Sequence, residues 1–69
     1  MKILSTKEFG SAVKNRRKKL GYTQKDVANF IGCSTSFISD LENGKKTAEI
    51  EKSIKVVKIL GMDLSLNER

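Results

Sequence analysis

The sequence contains no histidine, no proline, no tryptophan and a single cysteine among its 69 residues. With one thiol, Cys33, neither a disulfide framework nor a cysteine-rich zinc site can be built, and without histidine the usual structural zinc constellations are missing. Nucleophile–base catalysis of the Ser-His or Cys-His kind is excluded on the same ground. Lack of proline removes any rigid linker, and there is no internal repeat or low-complexity stretch. No apolar run approaches the roughly 18 residues that a membrane span needs. The N-terminus lacks the apolar stretch and small-residue cleavage site of a secretory signal. The expectation is a soluble, cytoplasmic chain that touches no membrane and holds no metal or other cofactor.

Length allows one small domain. Such a chain buries only about 60% of its unfolded surface, so its stability is marginal. With disulfides and metal excluded, oligomerisation is the remaining source of extra burial. An enzyme is not expected, because no nucleophile–base pair, metal-ligand set or phosphate loop is present.

Charge is more informative. The chain carries +6 with a pI near 9.7, the electrostatic footprint of a nucleic-acid binder. Residues 1–20 hold a net +6 and residues 45–60 a net +3, whereas residues 21–44 hold −2 and the tail 61–69 holds −1. The positive charge therefore flanks a slightly acidic middle.

Glycines punctuate the apolar periodicity: Gly21, Gly32, Gly44 and Gly61 each follow a helical run, where a left-handed residue is wanted. The first helix starts at Ser5 or Thr6, since Ser5-Thr6-Lys7-Glu8 fits a capping box. It runs to Leu20 with Phe9, Val13 and Leu20 on one face, and Gly10 inside it costs about 1 kcal/mol relative to Ala. The second helix opens at Thr23 with Asp26 as capping partner and ends at Ile31, with Val27, Ala28 and Ile31 inward. Ser34 caps a third helix with Ile38 and Leu41 inward, ending at Asn43-Gly44. Thr47 caps a fourth, closing near Leu60, with Ile50, Ile54, Val57 and Leu60 inward. The expected fold is all-α: four short helices in a domain spanning residues 1–61.

Residues 62–69 change period. Met62-Asp63-Leu64-Ser65-Leu66-Asn67 alternates apolar and polar, the pattern of a half-buried strand. A lone strand has no partner within its own chain. Either the tail is disordered or it pairs with the same strand of another copy, and the clean alternation favours pairing. Met62, Leu64 and Leu66 are then the dimer contacts.

Two short helices joined through Ile31-Gly32-Cys33-Ser34 form a helix-turn-helix pattern. Gln24 stands at the start of the first helix of the pair, where its amide can reach a phosphate beside the free N–H groups. Ala28 lies where the two helices cross, Gly32 makes the turn and Ile38 anchors the second helix. The stretch from Leu20-Gly-Tyr-Thr-Gln through Ile31-Gly32, followed by Ser36-Phe-Ile-Ser-Asp-Leu-Glu-Asn-Gly-Lys45, resembles the Cro/C1-type (XRE family) DNA-binding domain, lambda-repressor-like in fold, over residues 9–60. The continuation Gly44-Lys-Lys-Thr-Ala-Glu-Ile and Val57-Lys-Ile-Leu-Gly-Met-Asp-Leu is similar to the HipB-like antitoxins. The chain departs from the family pattern at Lys46, where many relatives carry proline.

The resemblance implies a second helix of the pair lying in the major groove, with Ser34, Thr35, Ser36, Ser39 and Asp40 facing base edges. Ser34 is equally a plain helix cap. Hydroxyls discriminate weakly, whereas Asp40 can accept from a cytosine amine or repel a phosphate, so DNA shape is expected to add to direct readout. Phosphate contacts fall to Gln24, Asn43, Lys45, Lys46 and Arg16. The run Arg16-Arg17-Lys18-Lys19 divides further: the family position of Arg17 implies a structural ion pair with Glu42, and Lys18 and Lys19 read as solvated. Phe30 falls on the polar side of its helix and Phe37 on the outer side of the next, either packed under lysine stems or forming a partner-protein surface. Cys33 reads as a small, unreactive, half-buried residue. The resemblance implies a homodimeric repressor of a palindromic operator in double-stranded DNA, which is also the antitoxin of a HipA-like kinase toxin. A free-standing regulator of the phage-repressor or restriction–modification type is the alternative, and a protein-only toxin inhibitor stands behind both.

Overall fold

Polar side chains at three points start the helices of the computed structural model, which describes residues 2–69. In chain order the helices are α1 (Thr6–Lys19), α2 (Gln24–Ile31), α3 (Thr35–Glu42) and α4 (Ile50–Ile59). Ser5, Thr23 and Ser34 each accept a hydrogen bond from the backbone N–H three residues on, satisfying one of the donors a helix start leaves free. At Thr23 the box is complete, because the Asp26 carboxylate accepts from the Thr23 N–H at 2.9 Å. At Ser5 it is half made: Glu8 reaches past Ser5 and accepts from the Leu4 N–H at 2.6 Å.

All four punctuating glycines have positive φ. Gly44 shows why one is required. It ends α3 at φ +82°, and a Cβ there would stand 2.8 Å from the Lys7 Cα. Its N–H donates to the Leu41 carbonyl, the Lys45 N–H donates to the Asp40 carbonyl, and its own carbonyl accepts from the Thr6 hydroxyl at 2.8 Å. The end of α3 is thereby closed and pinned onto the start of α1.

Val13, Val27, Ala28, Ile38, Leu41, Val56, Val57 and Leu60 form one buried core. α3 packs on both α1 and α2, and α4 packs on α2. Val13, Val27, Ala28, Ile38, Leu41, Val57 and Leu60 were all expected inside.

Four expectations need correction. Leu20 is exposed because α1 ends one residue earlier, leaving Leu20 as its cap. α4 begins at Ile50 with Glu49 as a cap that makes no side-chain bond, so Thr47 caps nothing. Residues 45–48 close a turn instead, the Ala48 N–H donating to the Lys45 carbonyl at 3.4 Å. The buried stripe of α4 is accordingly Ser53, Val56, Val57 and Leu60, with Ile54 half-buried and Ile50 73% exposed. Ser53 is tolerated inside because its hydroxyl donates to the Glu49 carbonyl at 2.7 Å. Finally, residues 62–69 form no strand. Met62 packs on the core, whereas Leu64 and Leu66 lie exposed, since no other segment offers an extended edge to pair with.

Gly10 is buried where α1 meets the end of α3. A Cβ there would overlap the Leu41 carbonyl oxygen and stand 2.6 Å from that of Glu42. An exposed helical Gly→Ala gains up to about 1 kcal/mol, but here backbone must move aside, at a cost of about 1–3 kcal/mol. Gly10→Ala is therefore expected to lower the urea midpoint, and a raised midpoint would disprove the close approach.

Candidate nucleic-acid interface

The α2–α3 pair is set by its turn. Gly32 takes φ +72°, the Cys33 N–H donates back to the Ala28 carbonyl at 2.9 Å, and the Ser34 hydroxyl accepts from the Phe37 N–H at 3.1 Å. These bonds aim the first turn of α3 outward, with the N–H groups that a helix start cannot pair internally.

Ile38, Leu41 and Glu42 hold α3 to the body. Thr35, Ser36, Ser39, Asp40 and Asn43 then share one outward face at the i, i+1, i+4, i+5, i+8 spacing. Thr35, Ser36 and Asn43 are exposed, and Ser39 and Asp40 are half-exposed. Ser34 stands at the head of this face as the cap, so its hydroxyl already has a backbone partner. Lys45 and Lys46 follow directly and are exposed. Lys45 Nζ lies 3.4 Å from Asp40 Oδ2 with both side chains about half in water, a pair contributing little to stability. The structure thus assembles Ser34, Thr35, Ser36, Ser39, Asp40, Asn43, Lys45 and Lys46 along one helix and its exit.

Arg17, Glu42 and Gln24 make the support beneath that face. Arg17 Nε donates to Glu42 Oε2 at 2.6 Å and Nη2 to Oε1 at 2.9 Å, a bidentate pair. Arg17 Nη1 also donates to the Tyr22 carbonyl at 2.8 Å. The Glu42 side chain is only 1% exposed. Its hydrogen bond raises the Arg17 pKa further above the ordinary guanidinium value, burial opposing. Gln24 Nε2 donates to the same Glu42 oxygen at 3.1 Å. That amide is thus tied into the fold through one N–H, which leaves its second N–H as the hydrogen available to a phosphate.

Arg16 also has a partner within the chain. Its Nε donates to the Leu60 carbonyl at 2.8 Å, so it closes the end of α4 and joins none of the α3 residues. Sequence reasoning missed this contact, although a basic residue against a helix C-terminus is a recognised pairing. Lys18 and Lys19 are exposed as expected. Phe37 packs against the core with Lys52 Nζ 5.7 Å from its ring centroid, whereas Phe30 stays half out of the surface. Burial pushes the Cys33 thiol up from its ordinary pKa, only partly opposed by Lys52, which disfavours the nucleophilic thiolate.

Among the described residues, no acidic or thiol cluster could hold a metal ion, and no helix is long and apolar enough to cross a membrane.

A family model described as helix-turn-helix matches residues 13–67. An uncharacterized HTH-type transcriptional regulator of Sinorhizobium fredii is 34% identical over 65 residues, covering 94% of this chain and 86% of that protein. The ImmF control region 10 kDa protein of Bacillus phage phi105 is 27% identical over 64 residues, covering 93% of this chain and 71% of that one. Among solved structures, a HipB-O4 20mer complex and a HipA-HipB-O2-O3 complex each match with a TM-score of 0.90 at 28% identity. Each match covers 99% of this chain and 96% of the other.

Removing the Arg17 side chain leaves the buried Glu42 carboxylate without its counter-charge. Arg17→Ala is expected to destabilise by about 3 kcal/mol, and Lys19→Ala by less than about 0.5 kcal/mol. Because the Arg17 pKa is raised, its contribution is complete below the ordinary guanidinium pKa and lost only above the raised one. The gap between the two variants should therefore persist from neutral pH to about pH 10. Equal thermal midpoints would refute the division of the basic run.

Proposed function

The chain belongs to the XRE-type helix-turn-helix family of DNA-binding transcriptional regulators, and from that premise we propose that it is a homodimeric, operator-specific repressor that also serves as the antitoxin of a HipA-like kinase toxin. That family is not an enzyme family. The observation that carries the reading is the outward face of α3: hydroxyls at its first turn, Asp40 and Asn43 along it, and at its exit the exposed Lys46 and a Lys45 only loosely paired with Asp40.

In this reading α3 enters the major groove. Ser34, Thr35, Ser36, Ser39 and Asp40 meet base edges, hydroxyls donating or accepting as the base demands and Asp40 accepting from a cytosine amine. The N–H groups at the start of α2 and the second N–H of Gln24 take one phosphate, while Asn43, Lys45 and Lys46 take others. Arg16 can take a phosphate only through its Nη groups, because its Nε is bonded to the Leu60 carbonyl at the end of α4.

The antitoxin half rests on the two structural neighbours, one a complex of HipB with an O4 20mer and the other a complex of HipB with HipA, O2 and O3. A free-standing phage-type repressor is the second reading, favoured by the similarity to a phage control-region protein.

The tail supplies the dimer. Leu64 and Leu66 are exposed with no intrachain edge to pair with. Antiparallel pairing with the two-fold copy satisfies one edge of each strand and makes the contact isologous. It also holds two recognition helices about one DNA turn, ~34 Å, apart, as a palindrome requires.

Two measurements bear on this. If a dimer neutralises roughly six phosphates, log K for an operator duplex falls with log[salt] at a slope near about −5. A flat anisotropy titration would remove the nucleic-acid assignment. Deleting residues 62–69 is expected to shift sedimentation equilibrium toward monomer and to weaken operator binding with it, since two half-sites are no longer gripped together. A truncated chain that stays dimeric would assign the interface to the helices.

A further inference from the structure

Phe30 and Ile59 belong to neither the core nor the DNA face. Phe30 is 51% exposed and Ile59 45%, on two helices that pack together. With Ile31 they floor a shallow groove of about 420 Å³ whose remaining lining is Lys55 and Lys58. The ring of Tyr22 meets Phe30 edge-on, with centroids 5.1 Å apart and planes at 80°, a contact that favours this orientation of Phe30. An aromatic half out of the surface is a typical anchor of a protein interface.

Charge says what fits. The lining holds no carboxylate, and neither Lys55 nor Lys58 has an acidic partner among the described residues. Lys52, one turn earlier, differs: it lies over Phe37 and near Glu49. We propose that the α2–α4 groove docks an acidic segment of a partner protein, an amphipathic helix whose apolar side chains seat on Phe30 and Ile59 while its carboxylates meet Lys55 and Lys58. A nucleic-acid backbone fits less well, because its small sugar surfaces are interrupted by a charged phosphate at every step and offer no bulky apolar group to set against Phe30 and Ile59. The groove lies on the last turn of α2 and on α4, whereas the proposed DNA contacts lie on α3 and at the first turn of α2, so the two sites share no residue.

The test uses the isotope-labelled full chain and a synthetic amphipathic peptide with Leu at i, i+4 and i+7 flanked by Glu, beside a counterpart with Lys replacing Glu. The Glu peptide is expected to shift the amides of Phe30, Ile31, Lys55, Lys58 and Ile59, with and without operator-sized duplex present, and the Lys peptide to shift none of them. Lys55→Glu combined with Lys58→Glu, and separately Phe30→Ser, should each weaken the Glu peptide about tenfold or more, equivalent to about 1.4 kcal/mol, while helix content by circular dichroism stays unchanged. The proposal is overturned if the Glu peptide shifts residues elsewhere or none. It is equally overturned if duplex alone shifts these amides, which would make the face a DNA contact, or if diluting the protein alone shifts them, which would make it a contact between copies.

Discussion

A carboxylate with 1% of its side chain exposed holds three helices of this domain in register. Glu42 stands at the end of α3 and receives two bonds from Arg17 of α1 and one from Gln24 at the start of α2. Burying that charge is tolerable only because three donors from two other helices are aimed at it. The consequence reaches the outer surface. The same bonds fix the angle at which α3 leaves the body, and Gly10 lets α1 come close enough to make them. A domain this small has little apolar surface with which to correct an error in that angle.

The basic run of α1 illustrates how neighbouring charges of one sign acquire different work. Successive helical residues point about 100° apart, so Arg16 meets the end of α4, Arg17 meets Glu42, and Lys18 and Lys19 stay in water. Much of the +6 charge is therefore background field, while a smaller share is structural. Background field still matters, because it draws polyanions toward the surface at long range.

Most of the helical framework was legible in the sequence. Caps at Ser5, Thr23 and Ser34 and glycines at the four exits are short-range signals, each with a local hydrogen bond behind it. The start of α4 was not legible. Thr47 is the better capping residue by type, yet the turn across residues 45–48 carries the chain past it, and Glu49 starts the helix without a side-chain bond. Reading hydrophobicity alone also put Ile50 inside and passed over Ser53, whose hydroxyl is satisfied within its own helix. Of the candidate site, the α3 face was readable from spacing and from the family resemblance. Arg16 and the Gln24–Glu42 bond were not, because each partner lies far along the chain.

Thr35 and Ser36 are exposed on α3, whereas Ile38, Leu41 and Glu42 bind that helix to the body. In the proposed reading, the residues that meet base edges are thus separate from those that keep the chain folded. Lineages carrying such a domain can exchange the first set by neutral drift, acquiring a new target without crossing a stability threshold. What evolution inherits here is a fixed frame with an editable vocabulary.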